Sequence, residues 1–208
     1  MNLLAFETSI GNCSVALLFN NKQHFVMSEN KLMQSEELIV MVNAVLKENG
    51  VTYQDLDGIA CTLGPGSFTG IRVGIAAARG MKKVLQTVKL IGVSTLEVMV
   101  HETPNKLTQG KKILSALKAY GDEFYTQEFS SDKNSLSEIQ LISKEDLIQN
   151  MNQYDLIISD NQHEFKCHSV EITALSVLTR AKQIFSSTQD KNDIAPLYIK
   201  SPSIHRNN

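Results

Sequence analysis

Apolar and polar residues group along this chain into two successive runs of similar elements. Residues 3–6 are continuously apolar and lead into the small polar turn 7–12, which predicts a buried strand. Residues 13–19 form a second apolar run, and Asn20-Asn21 turns it into a third strand over 23–27. From about Ser35 to Glu48, Leu38, Met41, Val42, Val45 and Leu46 recur at helical spacing, and Asn49-Gly50 closes that helix. A strand over 58–63, a glycine-rich loop, a long helix over 68–85 and a strand over 90–93 follow. Ser94-x-x-Glu97, a capping box, then opens one more helix.

The polar stretch 102–106, interrupted by Pro104, reads as a linker. After it the pattern returns: strands over 111–119 and 123–129 around Tyr120-Gly121-Asp122, a third over 139–142, and a short helix opened by Ser143-x-x-Asp146. A strand over 156–159 and a helix over 173–185, with Leu175, Leu178 and Ile184 among its apolar positions, end the run. Both runs read β-β-β-α-β-α, the second with shorter elements. That order predicts a duplicated α/β fold of the actin-like, Hsp70-like and sugar-kinase kind, with RNase H-like halves. The expected division is a first half over 1–103, a smaller divergent half over 107–200, and a flexible tail over 201–208.

Composition narrows the classes. With 42% hydrophobic and 20% charged residues in 208, and a mean hydropathy of −0.12, the chain reads as globular. A net charge of −2 excludes a surface coated in positive charge, so contact with nucleic acid is expected to be local or through a partner. Apolar runs fall far short of the ~20 residues that span a bilayer, and Glu7 interrupts the early one, so neither a membrane helix nor a signal peptide is expected. Cys13, Cys61 and Cys167 are scattered and form no C-x-x-C, which fits a reducing, cytoplasmic setting.

Glycine carries the densest signal. Seven of the eleven glycines lie between Gly58 and Gly92 and none follows Gly121, so whatever needs close backbone approach belongs to the first half. Within Gly64-Pro65-Gly66-Ser67-Phe68-Thr69-Gly70-Ile71-Arg72-Val73-Gly74, Ser67 is a natural N-cap, and the loop has the makings of a phosphate cradle. However, Gly70 is followed by Ile71-Arg72 where a P-loop has Lys-Ser or Lys-Thr. A second reading uses more residues: Gly66, Gly70, Gly74 and Ala78 are four apart, flanked by Ala77 and Met81, a smooth helical stripe that lets another backbone approach. Each interior glycine costs roughly 1 kcal/mol against alanine, so a close contact must compensate, either within the domain or across a protein–protein face.

Leu4-Ala5-Phe6-Glu7-Thr8-Ser9, Cys13-Ser14-Val15-Ala16-Leu17, the glycine segment 64–74 and Ile91-Gly92-Val93-Ser94-Thr95-Leu96 together resemble the bacterial TsaB (YeaZ) family over roughly residues 1–100. The resemblance implies the duplicated actin-like fold and a non-catalytic subunit of the complex that places threonylcarbamoyl on the adenosine beside the tRNA anticodon. It also implies pairing with the catalytic subunit TsaD, or with a second copy of the chain, through a helical bundle, with the ATPase TsaE joining and tRNA touched indirectly or weakly. The implied interface residues are Leu38, Met41, Val42, Val45, Gly70, Gly74, Ala77, Ala78 and Met81, beside the loop Gly64, Pro65, Gly66 and Ser67. Family members carry Asp where Glu7 stands, a His-Ser-Glu-like trio where Gln34-Ser35-Glu36 stands, and Asp-Ala-Arg where Lys118-Ala119-Tyr120 stands.

Two enzyme readings compete. An ATPase or small-molecule kinase of this fold needs carboxylates on both inter-strand turns and a Gly-Gly pair in the second half; Lys118 and Asp122 flank the second turn, and residues 122–208 hold no glycine. A metal-dependent peptidase or acyl hydrolase needs clustered ligands, and the chain has no H-x-x-x-H or H-E-x-x-H; His163, Cys167 and His168 are the nearest approach. No catalytic residue, cofactor or metal site is therefore expected.

Overall fold

A computed structural model describes residues 1–29, 34–160, 165–187 and 193–199. The chain forms two compact units, one from Met1–Val98 with Ile172–Leu197 and one built on Met99–Glu171. The first unit holds β1 (Leu3–Glu7), β2 (Ser14–Phe19), β3 (Lys22–Met27), α1 (Gln34–Glu48), β4 (Gly58–Thr62), α2 (Phe68–Leu85) and β5 (Lys89–Val93), with α3 (Thr95–Glu102) leading out of it. Its sheet runs β3-β2-β1-β4-β5, with β1–β2 and β2–β3 antiparallel and β1–β4 and β4–β5 parallel. β1 and β4 are buried along their whole length because helices cover both faces. Leu4, Phe6, Val15, Leu17 and Ile59 pack with Leu38, Val42 and Val45 of α1 and with Ile71, Ile75 and Ala78 of α2.

The second unit holds α4 (Asn105–Thr108), β6 (Ile113–Lys118), β7 (Glu123–Phe129), β8 (Gln140–Ser143), α5 (Lys144–Asn150), β9 (Leu156–Ser159) and β10 (His168–Ser169). Its sheet, read from β8, runs β8-β7-β6-β9-β10, the same order and the same parallel and antiparallel pairings as the first. A shared anchor marks the repeat. In the first unit Asp57 accepts the Asn2 amide at 2.6 Å through Oδ2 and donates its own amide to the Asn2 carbonyl at 2.9 Å. In the second, Asp155 does the same to Lys112 at 2.8 and 3.0 Å. The aspartate before the fourth strand thus fixes the start of the first strand in both units. The second core is small, built on Leu114, Ala116, Phe124, Leu147 and Ile157.

Three features depart from the sequence reading. Residues 102–106 form a packed junction: α3 runs to Glu102, α4 starts at Asn105, and buried Thr103 bonds back to the Met99 carbonyl at 3.1 Å. In the second unit a fifth strand, β10, precedes the last helix, and the described residues between β9 and β10 carry no helix to match α2. That last helix, α6 (Ala174–Ile184), packs on β1, β2, β4 and β5 of the first unit rather than staying with the 107–200 half. Its ties explain why. Ser14 Oγ on β2 accepts the Ala174 amide at 2.9 Å, Arg180 holds Glu97 at 2.5–2.7 Å, and Lys89 reaches the Phe185 carbonyl at 2.9 Å. The tail 201–208 lies outside the described residues.

Candidate functional site

β1 ends at Glu7, whose side chain is fully buried. Its Oε1 accepts the Ser9 amide, the Ser9 hydroxyl at 2.5 Å and the Ile10 amide at 3.0 Å, so one oxygen organises the whole turn. Thr62 donates to Ser9 Oγ at 3.1 Å, and Thr95 Oγ1 lies 3.4 Å from it. Glu7 Oε2 has no hydrogen-bond partner among the described residues. Burial pushes the Glu7 carboxyl above its ordinary range, and the bonds from Ser9 and Ile10 offset only part of that.

The glycine segment packs on this turn. The Ser67 amide donates to the Ser9 carbonyl at 2.7 Å, the Thr8 hydroxyl donates to the Gly70 carbonyl at 2.7 Å, and Ser67 Oγ caps α2 by accepting the Gly70 amide at 3.2 Å. A Cβ at Gly66 would stand 2.6 Å from the Ser9 carbonyl oxygen, and one at Gly70 only 1.8 Å from that of Thr8. Gly64 and Pro65 are buried, and the Gly64 carbonyl accepts the amide of Thr95 at the start of α3 at 2.9 Å. The amides of Ser67 and Gly70, which a phosphate cradle needs free, are spent inside the protein.

The small-residue stripe therefore packs within its own unit. Gly70, Gly74 and Ala78 face β1 and its turn, a Cβ at Gly74 falling 2.7 Å from Thr8 Oγ1 and 3.7 Å from the Phe6 ring. Leu38, Met41, Val42 and Val45 are buried in the same core, while Ala77 and Met81 are half-buried against it. Leu38, Met41, Val42, Val45, Gly70, Gly74 and Ala78 are thus buried against their own unit, and of the expected contact residues on these helices only the half-buried Ala77 and Met81 keep surface that a partner could reach. The outward face of the same two helices carries other residues. Val40 on α1 is 66% exposed and Val84 on α2 is 78% exposed, and Ile39 on α1 and Phe68 and Ala76 on α2 are exposed as well. The helices pack side by side, and Arg72 stacks on the Phe68 ring at 3.6 Å. The sequence holds a signal for this face: the unbroken run Leu38-Ile39-Val40-Met41-Val42 is too wide for one helical stripe, so part of it must face outward.

The remaining candidate groups are chemically quiet. Burial pushes the Cys13 thiol up to about 12, helped by the charges of Glu37 and Glu7, and raises the buried Cys61 thiol as well, away from nucleophilic thiolate. Arg79 pairs with Asp193 through both carboxylate oxygens. Lys118 at the end of β6 reaches Asp122 at 3.9 Å, and the residue that the register makes equivalent to Glu7 in the repeat is Leu117, an apolar side chain. Among the described residues no three His, Cys, Asp or Glu side chains converge on one point; His163 and His205 lie outside them.

A family model described as TsaD, tRNA N6-adenosine threonylcarbamoyltransferase, matches residues 31–195. The tRNA threonylcarbamoyladenosine biosynthesis protein TsaB of Buchnera aphidicola subsp. Schizaphis graminum is 30% identical, over 79% of this chain and 80% of its own length. The protein of that name from Escherichia coli K12 is 33% identical over 65% of this chain, and this chain spans 58% of it. YeaZ from Pseudomonas aeruginosa superposes with a TM-score of 0.79 at 22% identity, over 95% of this chain and 99% of that one, a likeness of fold.

Proposed function

The chain belongs to the family of tRNA threonylcarbamoyladenosine biosynthesis protein TsaB, and on that premise we propose that it takes part in making threonylcarbamoyladenosine in tRNA as a non-catalytic subunit. It pairs with the catalytic subunit TsaD and supports threonylcarbamoyl transfer to the adenosine beside the anticodon, in the cytoplasm. TsaE joins that assembly, the chain forms a homodimer when TsaD is absent, and tRNA is met through the partner. No described helix is long and apolar enough to cross a membrane.

One observation carries this reading: α1 and α2 pack side by side and expose Ile39, Val40, Ala76 and Val84 among charged residues such as Lys47, Arg72, Arg79 and Lys83, while their other faces are used up in the core. Gly74 is unsuited to testing the pairing, because a larger side chain there collides with Thr8 and Phe6 inside the unit. Val40→Glu and Ala76→Arg change only exposed positions. Reconstituted modification of tRNA by TsaD, with and without this chain, tests the role. Modification is expected to need the chain and to fall with either variant. Full modification by TsaD without the chain, or with both variants, would remove the scaffold role.

A further inference from the structure

α2 carries charge of one sign only. Arg72, Arg79, Lys82 and Lys83 are its cations, and no Asp or Glu stands between Phe68 and Leu85. Lys82 is buried and donates to the Gln86 and Val88 carbonyls at 2.7 and 2.8 Å, so it serves the end of its own helix. The other three are exposed. Arg72, Ala76, Arg79 and Lys83 are spaced so that they share one stripe along the helix. α1, packed beside it, is mixed in charge and exposes Glu36, Lys47 and Glu48.

The stripe already holds a carboxylate. Asp193, from the segment after α6, binds Arg79 through both of its oxygens, the two-point contact that a guanidinium makes with a carboxylate. Beside that pair, Arg79, Lys82, Lys83, Gln86 and Asp193 line an open basin of about 410 Å³, three cations to one anion. Arg72 lies over the Phe68 ring at 3.6 Å, which covers one face of the guanidinium and leaves its N–H edge for an acceptor. Among the described residues no carboxylate pairs with Arg72 or Lys83.

We propose that Arg72, Arg79 and Lys83 select the partner by charge: the protein face that docks on α1 and α2 presents carboxylates to this stripe and apolar side chains to Val40 and Ala76. The inference rests on α1 and α2 being a docking face and adds the chemistry of what docks. Exposed Ile39, Val40, Ala76 and Val84 favour a protein over a phosphate backbone, which gains nothing from apolar side chains. Charge of this kind sets partner choice and association rate more than final affinity, and salt screens it.

The association rate with TsaD from the same organism, measured by surface plasmon resonance, tests this. It is expected to fall about tenfold between roughly 0.05 and 0.5 M NaCl. At the lower salt, Arg72→Glu and Lys83→Glu should each slow it about tenfold. Lys106→Glu makes the same change of net charge at an exposed position of the second unit and should leave it unchanged. Circular dichroism checks that each variant is folded, and the two reversals stand on different turns, so either one suffices. Association that ignores salt and is unchanged in a folded reversal would overturn the proposal and leave the docking face standing. No association at any salt would overturn both. Binding of tRNA by the chain alone, lost in Arg72→Glu, would assign the stripe to phosphates and overturn the proposal as well.

Discussion

Replacing Gly70 with alanine adds one methyl group at the glycine of the first unit where an added Cβ has least room. The new Cβ would stand 1.8 Å from the Thr8 carbonyl oxygen and 2.8 Å from its carbon. A carbon normally meets an oxygen no closer than about 3.3 Å, so α2 and the β1–β2 turn must part by roughly 1.5 Å. The obstacle is main chain and cannot swing aside as a side chain would. Overpacking of this kind costs about 1–3 kcal/mol. The same separation loses the buried Thr8-to-Gly70 hydrogen bond, about 1 kcal/mol more, against a helix-propensity gain of about 1 kcal/mol. The net is a loss of about 1–3 kcal/mol, or roughly 2–12 °C in Tm for a chain of this size. Gly80 is the matched control on the same helix, exposed and with nothing within 4 Å of an added Cβ. Gly80→Ala should therefore stabilise by about 1 kcal/mol. Urea and thermal unfolding followed by far-UV circular dichroism read both. A Gly70→Ala protein as stable as the parent, or gaining as Gly80→Ala does, would refute the claim that the stripe serves internal packing.

Other substitutions probe the rest of the account. Because burial raises the Glu7 carboxyl in the folded protein, the folded state holds its proton to higher pH than the unfolded chain does. Stability should then fall as pH rises from the ordinary glutamate value towards the raised one, and Glu7→Gln should flatten that fall; urea midpoints from pH 4.5 upward read it, and a parent profile as flat as the variant's would count against it. Ser14→Ala removes the acceptor for the buried Ala174 amide and should cost about 1–3 kcal/mol, with faster hydrogen exchange at the start of α6. Unchanged exchange there would mean that α6 is held by its other ties alone. Asp57→Ala and Asp155→Ala should each cost about 1 kcal/mol and add in the double variant, since they break the same anchor in separate units; strong coupling in a double-mutant cycle would argue against independence.

Much of the fold was legible in the residues, because element type follows from periodicity. The helix of apolar spacing from Leu38 to Leu46 is α1, and the strand order of the first unit follows from its short turns and long crossovers. What pattern alone missed was partnership. Ser14, Glu97 and Lys89 are single polar residues far from α6 in sequence, and only their geometry shows that they hold it to the first sheet. β10, two residues long, is too short to have a period. At the site, the four-residue spacing of Gly66, Gly70, Gly74 and Ala78 announced a close approach without saying to what. The turn at Thr8 and Ser9 supplies the answer. The exposed face was present as the run from Leu38 to Val42, but burial, not spacing, separates its inner members from Ile39 and Val40.

Size-exclusion chromatography with light scattering, on the chain alone and mixed with TsaD from the same organism, tests the proposed role most directly. The account predicts a homodimer alone, replaced by a one-to-one complex on mixing, and loss of both in Val40→Glu. A folded chain that stays monomeric and leaves the mass of TsaD unchanged would contradict it.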